Sequence, residues 1–236
     1  MKNNTSFFIY AALIAGIFSV LSTGCSKDSD DSPAPVPTVT DLDGNTYQYV
    51  TIGTQVWMTT NLKTTKYNDG TSIANLTDSY QWSNTGAGAY AYYDNNPGND
   101  SYGVLYNWYA VNTGQICPPL WRVATNDDWT TLINYLGGES LAGGKLKSTR
   151  TAPTVSPSWE SPNNGATDEY GFNALPGGYR LHSGGYFFVG QMAQFWTSSV
   201  DQQTSPIYKL ITYASGYIVT FPGAKTNGMS VRCVKQ

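Results

Sequence analysis

The side chains that most often act as nucleophiles or soft metal ligands are few in this 236-residue sequence, which has one histidine and three cysteines. His182 lies in a segment typical of a strand end or loop, and no nucleophile motif surrounds it. The sequence has no HExxH, CxxC, P-loop or GxGxxG pattern. These observations predict a protein that is not an enzyme and needs no cofactor, with His182 as a surface or hydrogen-bonded loop residue.

Cys25 ends a segment with the three parts of a secretion signal. Lys2 supplies the positive charge, residues 7–21 are an apolar run, and small residues fill positions 22–24. The stretch from Leu21 to Cys25 resembles a bacterial lipobox, which implies cleavage before Cys25 and acylation of its thiol. An ordinary cleaved signal with an incidental cysteine is the alternative. We therefore expect a signal peptide at residues 1–24 and, through the lipid on Cys25, a membrane anchor.

Residues 25–40 are predicted to be a flexible tether. Residues 26–32 are polar and acidic, and residues 33–37 are rich in proline, so neither stretch can bury a core. The acidic run after the cysteine resembles the surface-export signal of lipoproteins from the Bacteroidetes. That resemblance implies an outer-membrane lipoprotein whose domain, residues 41–236, is exposed at the cell surface. A solvated linker on a lipoprotein that faces the periplasm is the alternative.

Cys117 and Cys233 remain as an even pair once Cys25 is assigned to lipid. In an oxidising compartment the simplest assignment is one disulfide bond that closes most of the domain. Two buried free thiols are the alternative.

Two loops, residues 94–100 and 163–169, are rich in carboxylate and amide oxygens. Such oxygens can wrap a hard cation, and a structural calcium ion is the cofactor to consider. The candidate ligands are Asp94, Asn96, Asp100, Asp168 and Glu169. Because Asn, Asp and Gly are also the ordinary residues of turns, the simpler interpretation as turns is favoured.

A group of aromatic residues is the preferred candidate for a ligand surface. Its members are Tyr80, Trp82, Tyr90, Tyr92 and Tyr93. Exposed rings beside Asn and Asp suit contacts with glycan or protein, because they offer a large amphipathic area at low ordering cost. The alternative is that Tyr90 and Tyr92 form the core face of one strand.

Composition favours a loop-rich extracellular domain. Charged residues make up 12% of the chain, which has 24 Gly, 18 Tyr and 7 Trp. Few charges with many glycines and rings favour a β-rich fold over a helical bundle or disorder. The net charge of −3, without clusters of Lys and Arg, predicts no nucleic acid as a partner.

The clearest predicted element is a helix over residues 124–138. It begins with a Thr cap and an acidic first turn, its apolar residues follow helical spacing, and a glycine pair ends it. A turn is expected at residues 43–44 and a short helix within 102–111. Strands are predicted at residues 55–62, 171–175, 185–190, 193–197, 206–211, 217–221 and 229–234. Residues 66–103 are expected to be ordered loops with short strands, and residues 141–167 are a polar stretch with three prolines. The result is an α+β domain with irregular antiparallel sheets, one or two helices and long loops.

Several ordered blocks resemble one family, the Fibrobacter succinogenes major paralogous domain, over about residues 41–235. The blocks lie at residues 43–47, 55–62, 102–108, 117–123, 171–178, 195–199 and 228–234. The family carries no established activity. More distantly, residues 121–129, the glycine pair 137–138 and residues 230–233 are similar to formylglycine-generating-enzyme-like domains, which implies a C-type-lectin-like fold. In such folds a cysteine near a helix bonds to one in the last strand, which also implies the pairing of Cys117 with Cys233.

The leading functional hypothesis is a surface-tethered, non-enzymatic recognition module for adhesion, which binds an extracellular glycan or protein through its long loops. A structural component of a cell-surface assembly is the second hypothesis. A degenerate enzyme-like domain with hydrolytic activity at His182 is the third.

Overall fold

The computed structural model describes residue 1 and residues 35–236, and one compact domain extends from Val36 to Gln236. The predicted signal peptide, the predicted lipidation site Cys25 and most of the predicted tether lie outside the described residues. The first strand begins at Thr38, within the segment that the sequence assigned to the tether. No described helix has both the length and the apolar character that crossing a membrane requires.

The domain is a mixed α/β structure in which sheets dominate, which confirms the predicted α+β class with irregular antiparallel sheets. Its strands are β1 (Thr38–Thr40), β2 (Thr46–Ile52), β3 (Gln55–Met58), β4 (Ala74–Asn75), β5 (Ala89–Ala91), β6 (Leu105–Tyr106), β7 (Trp121–Val123), β8 (Gly177–Arg180), β9 (Tyr186–Val189), β10 (Met192–Val200), β11 (Pro206–Thr212), β12 (Ile218–Pro222) and β13 (Cys233–Lys235). Its helices are α1 (Ser79–Asn84), α2 (Trp108–Val111), α3 (Asn126–Tyr135) and α4 (Glu139–Leu146), with 3₁₀ turns at Tyr93–Asn95 and Pro97–Tyr102.

Strand β13 joins the two ends of the domain. The first sheet has the order β1-β2-β3-β13-β7, and β13 pairs antiparallel with both β3 and β7. The turn between β1 and β2 is held by Asp41, whose carboxylate accepts the backbone N–H groups of Asp43 and Asn45. Gly44 adopts φ +84° there, so the predicted turn at residues 43–44 is confirmed.

The second sheet carries the long C-terminal strands in the order β12-β11-β10-β8-β9. Its inner face packs against α3 and α4, where Ala193, Phe195, Ile211 and Ile218 are buried in one cluster with the apolar residues of both helices. A small third sheet, β4-β5-β6, completes the fold. The second sheet therefore has one face covered by helices. Its other face meets solvent and a separate group of buried residues, among them Met58, Tyr106 and Trp196, which we call the first core cluster.

Helix α3 confirms the clearest sequence prediction. Thr125 caps it, and Thr125 and Asp128 form a reciprocal capping box that satisfies two otherwise unpaired backbone N–H groups. Trp129, Leu132 and Ile133 are buried on its inner side. All of these signals are local in sequence, which is why the helix was predictable.

Helix α4 was not predicted from the sequence, where residues 141–167 are a polar stretch with three prolines. Gly143 and Gly144 lower the helix propensity of this segment, yet both are needed for close packing. A Cβ atom on Gly143 would lie 2.2 Å from the carbonyl oxygen of Tyr217, and one on Gly144 would lie 2.3 Å from that of Gly165. The glycine pair is thus explained by contacts with distant backbone.

Other predictions hold in part. The strands expected at 185–190, 193–197, 206–211 and 217–221 are confirmed as β9 to β12. The expected helix within 102–111 is a short strand, β6, followed by the four-residue α2. No strand forms at 171–175, where Gly171 and Asn173 adopt positive φ and interrupt an extended backbone.

Three buried cations tie loops to the core. Arg232 donates to the carbonyl oxygens of Met58, Phe172 and Asn173, and its guanidinium lies 4.4 Å above the Phe172 ring. Lys147 and Arg180 each donate to three carbonyl oxygens in the same manner. A buried charge is tolerated only when its donors are satisfied, and here backbone oxygens satisfy them.

Candidate functional site

The face of the second sheet that is turned away from the helices carries aromatic rings, some exposed and some packed partly against the first core cluster. Along β11, Lys209 and Ile211 are buried toward the helices, while Tyr208 and Leu210 alternate onto the opposite, half-exposed face. The neighbouring strands place further rings on the same side of the sheet. We call the set Tyr179, Phe187, Phe188, Tyr208 and Phe221 the aromatic face. Its three phenylalanines, Phe187, Phe188 and Phe221, are 41–43% exposed, which is unusual for such large apolar side chains.

The rings form two neighbouring groups. Tyr179 has ring-centroid distances of 5.9 Å to Phe187 and 6.2 Å to Phe188. Tyr208 lies 5.9 Å from Phe221 across the β11–β12 pair. The interplanar angles in these three pairs are 19–34°, so neighbouring rings have similar orientations. Within these three pairs the rings are therefore roughly parallel.

Phe188 explains how two consecutive residues contribute to one group. Neighbouring residues of a regular strand point to opposite faces. Phe188 instead adopts φ +62°, a conformation rare for a bulky side chain, and its ring lies 6.2 Å from that of Phe187. The strained residue thus brings both rings to Tyr179. Strain of this kind is often concentrated at binding sites.

The polar character of the aromatic face comes from hydroxyl groups. None of its five residues carries a charge, and the aliphatic Leu210 and Val219 lie on the same face of β11 and β12. Burial, and then the neighbouring Tyr179, raise the pKa of Tyr208. The Tyr208 hydroxyl therefore stays protonated and able to donate a hydrogen bond at neutral pH.

Trp196 anchors the aromatic face to the core. Its indole is fully buried, donates to the carbonyl oxygen of Tyr106 at 2.8 Å, and meets the Tyr208 ring edge-on at 6.0 Å. A Cβ atom on Gly223 would lie 2.9 Å from the indole, so the chain after β12 fits closely over Trp196. Trp196 and Tyr208 are partners across the β10–β11 pair, so the indole supports the Tyr208 ring from the side.

The predicted ligand surface at residues 80–93 is corrected by the structure. Tyr80 is 76% exposed, but Trp82 is completely buried and Tyr90 is 7% exposed. Trp82 lies under the guanidinium of Arg180, 4.3 Å from its carbon, and Tyr90 packs in the first core cluster. Tyr92 and Tyr93 are half-buried, Tyr92 against Tyr90 and Tyr93 against Tyr186. The five residues do not form one exposed surface, because Trp82 and Tyr90 are buried in the core and Tyr92 and Tyr93 are half-buried.

Four of the five predicted oxygen ligands are directed toward protein donors. Asn96 accepts from the backbone N–H of Gly98, and Asp100 pairs with Lys63. In the other loop, Asp168 accepts from the backbone N–H of Asn173, and Glu169 pairs with Lys145. Asp94 is exposed at φ +56°. Among the described residues, no three His, Cys, Asp or Glu side chains converge as metal ligands.

The remaining candidates from the sequence are the two cysteines of the domain and the single histidine. Cys117 and Cys233 form a disulfide bond, as predicted, and it fixes the last strand to the segment before β7. His182 is exposed, and its backbone N–H donates to the side chain of Asn227.

Sequence reasoning missed every residue of the aromatic face. Three of its four strands, β9, β11 and β12, were predicted, whereas β8 was not. The alternation of Tyr208 and Leu210 with Lys209 and Ile211 was a usable signal for one exposed apolar face. The contribution of Phe188 had no sequence signal, since it depends on a positive φ.

Comparison with known proteins identifies the family. The sequence profile of the Fibrobacter succinogenes major domain matches residues 50–235. Neither a curated protein nor a solved structure matches the chain. The matched region holds most of the first sheet, the whole second sheet, the disulfide and the aromatic face. The chain therefore belongs to the Fibrobacter succinogenes major domain family.

Proposed function

We propose that this domain is a non-enzymatic recognition module that binds a neutral glycan on its aromatic face. The observation that carries the proposal is a set of five uncharged rings, gathered from four strands on one side of a sheet. The C–H groups on the face of a sugar ring carry partial positive charge, and the face of an aromatic ring is negative. Stacking between the two buries apolar area without burying a charge.

The geometry of the rings supports a preorganised surface. Phe and Tyr side chains have only two rotatable angles, so little entropy is lost when a ligand orders them. Tyr208 packs edge-on against the buried Trp196, and Tyr179 packs against two phenylalanines. An acidic glycan would gain no ion pair from these five residues, whereas a neutral glycan needs none.

The proposal includes the location and the fold relationship. We propose that Cys25 is lipidated and that residues 26–37 hold the domain away from an outer membrane, facing the cell exterior, as the sequence signals favour. We also propose kinship with C-type-lectin-like domains. Two observations support that kinship: β13 pairs with the N-terminal hairpin through β3, and a disulfide connects β13 to the segment just before β7 and α3.

Affinity electrophoresis and a glycan array would test the binding proposal. The full chain, purified in detergent, should bind at least one neutral glycan. Tyr208→Ala and Phe221→Ala should each weaken that binding about tenfold, which corresponds to about 1.4 kcal/mol. Tyr80→Ala is the matched control, because Tyr80 is also exposed but lies outside the aromatic face. Loss of binding in the control alone, or no neutral glycan bound at all, would overturn the proposal.

One observation favours a second candidate, a structural role in a cell-surface assembly. Strand β12 is an edge of the second sheet, and Val219, Thr220, Phe221 and Pro222 are all exposed. An uncharged, exposed edge strand can accept a strand from another chain. Recovery of the chain in large detergent-stable complexes that a Val219→Lys substitution disperses would favour this candidate.

A further inference from the structure

A cavity of about 240 Å³ lies on a different part of the domain. Three chain segments form it: the start of β2, the stretch after β3, and the end of the second 3₁₀ turn. Its lining residues are Thr46, Tyr47, Thr60, Asn61, Lys63, Asp100, Ser101 and Gly103. Pockets for drug-sized ligands measure roughly 300–1,000 Å³, so this cavity has room for one small molecule and not for a polymer.

The floor of the cavity is rigid. Asn61 is 3% exposed and donates to the carbonyl oxygen of Tyr102 and to Ser230, while its own oxygen accepts from Arg232. Tyr47 is 1% exposed, and its hydroxyl donates to Asp41 at 2.6 Å. These groups are already satisfied within the protein, so they shape the cavity and leave recognition to its rim.

Gly103 lets the two walls approach each other. It adopts φ +81°, and a Cβ atom there would lie only 2.6 Å from Cβ of Asn61 and 2.9 Å from the carbonyl oxygen of Leu62. A larger residue would push the 100–103 segment away and open the cavity. The close approach therefore depends on glycine.

The rim offers an ion pair and hydroxyl groups. Lys63 Nζ lies 3.3 Å from Asp100 Oδ2, with side chains that are 35% and 52% exposed. Thr46, Thr60 and Ser101 add hydroxyls, and within residues 35–236 those of Thr60 and Ser101 make no hydrogen bond to protein. The rim has both donors and acceptors, and its two charges cancel.

We propose that this cavity binds a single neutral sugar unit, as a second ligand site independent of the aromatic face. A sugar hydroxyl can donate to the Asp100 carboxylate and accept from the Lys63 ammonium at the same time, so it bridges the ion pair without breaking it. Neighbouring hydroxyls of the same sugar can then pair with Thr60 and Ser101. Hydrogen bonds to charged groups are about twice as strong as neutral ones, which makes the ion pair the main contact.

A charged ligand fits this rim less well. An isolated anion would meet the Asp100 carboxylate, and an isolated cation would meet the Lys63 ammonium. A zwitterion such as an amino acid would have to separate two charges that already neutralise each other. The neutral polyhydroxylated ligand is the class that uses every group on the rim.

Saturation-transfer NMR on the full chain in detergent would test the proposal. The probes are glucose, galactose, mannose, xylose and N-acetylglucosamine, each at about 10 mM, a concentration that detects millimolar dissociation constants. At least one probe should give a signal that Asp100→Asn and Thr60→Val each weaken at least tenfold. Glu169→Gln is the matched control, because Glu169 belongs to a similarly exposed ion pair with Lys145 and should leave the signal unchanged.

Three outcomes would overturn the proposal, provided that thermal melts show the variants folded. The first is no signal from any of the five sugars. The second is a signal that Tyr208→Ala abolishes and Asp100→Asn does not, which would assign the sugar to the aromatic face alone. The third is an Asp100-dependent signal from glycine and none from the sugars, which would identify an amino-acid site. Persistence of the sugar signal in Tyr208→Ala supports two independent sites.

Discussion

The indole of Trp196 meets the ring of Tyr208 edge-on, with centroids 6.0 Å apart, and so connects the buried core to the aromatic face. Trp196 is fully buried and Tyr208 is half-exposed. The proposed ligand surface is therefore part of the packed domain and not a mobile loop. A substitution of the buried Trp196 should therefore affect the position of Tyr208 and the binding of a ligand to the aromatic face.

Trp196→Phe should weaken glycan binding although Trp196 is not exposed. The substitution removes the hydrogen bond to Tyr106 and part of the indole volume, so we expect the free energy of unfolding to fall by about 1–3 kcal/mol. The loss of edge contact should also free Tyr208 and weaken binding several-fold. Urea unfolding and affinity electrophoresis measure the two effects.

Trp57→Phe is the control for that substitution. Trp57 is equally buried, but it packs in the other core cluster with Trp129 and Phe172. It should reduce stability by a similar amount and leave binding intact. Equal loss of binding in both variants would mean that Trp196 acts only through global stability.

Phe188→Gly should separate backbone strain from ligand contact. Glycine adopts φ +62° without steric cost, and a non-glycine residue held there costs of the order of 1–3 kcal/mol. We expect the variant to keep or raise the free energy of unfolding while glycan binding falls. Phe187→Gly, whose ring is exposed to nearly the same extent, should lose both stability and binding. A Phe188→Gly variant as unstable as Phe187→Gly would show that the positive φ is not strained.

The disulfide should contribute much of the stability of the domain. Cys117 and Cys233 are 116 residues apart in sequence, and closing a loop of that length stabilises by about 4–5 kcal/mol in the chain-entropy model. The double substitution of both cysteines by serine should therefore lower the unfolding midpoint in urea sharply. A reducing agent should destabilise the wild-type chain and leave the double variant unchanged. Equal sensitivity of the two proteins to reduction would contradict this assignment.

Features set by local sequence were predictable, and features set by distant contacts were not. The Thr125 cap and the glycines after α3 act within one helix, so the helix was found. The burial of Trp82 depends on Arg180, almost a hundred residues later, and the helix at Gly143 depends on the backbone of Tyr217. Neither partner can be identified from the pattern around the residue itself.

At the candidate site, too, the features set by local sequence were predictable and those set by distant contacts were not. The strands that carry Tyr208 and Phe221 were predicted from their apolar pattern, but which face the helices would cover was not. The tyrosines at 90–93 looked equally suitable from sequence, because composition does not distinguish a ring in the core from a ring on the surface. Only the tertiary packing of the domain makes that distinction.

Lys147 gives the domain a distinctive response to alkaline pH. Its ammonium is buried and donates to the carbonyl oxygens of Asn164, Thr212 and Ser215 at 2.8–3.0 Å. Burial lowers the pKa of Lys147 to about 8, whereas an unfolded lysine titrates near pH 10.4. Between these two values the unfolded chain holds more protons at this position than the folded chain. The contribution of Lys147 to the free energy of unfolding therefore rises as pH increases from about 8 to about 10.

Lys147→Met removes this contribution, so the free energy of unfolding of the variant should rise less with pH than that of the wild type. The measurement is urea unfolding of both proteins at pH 7, 8, 9 and 10, taken as the difference in free energy between wild type and variant, so that other titrating groups cancel. Lys145→Met is the control, because Lys145 lies in the last turn of α4, two residues before Lys147, but is partly exposed and paired with Glu169. That variant should retain the wild-type pH dependence. The free energy of unfolding of wild type minus that of Lys147→Met should rise with pH. If this difference fell with pH instead, the three carbonyl oxygens would stabilise the ammonium more than burial destabilises it.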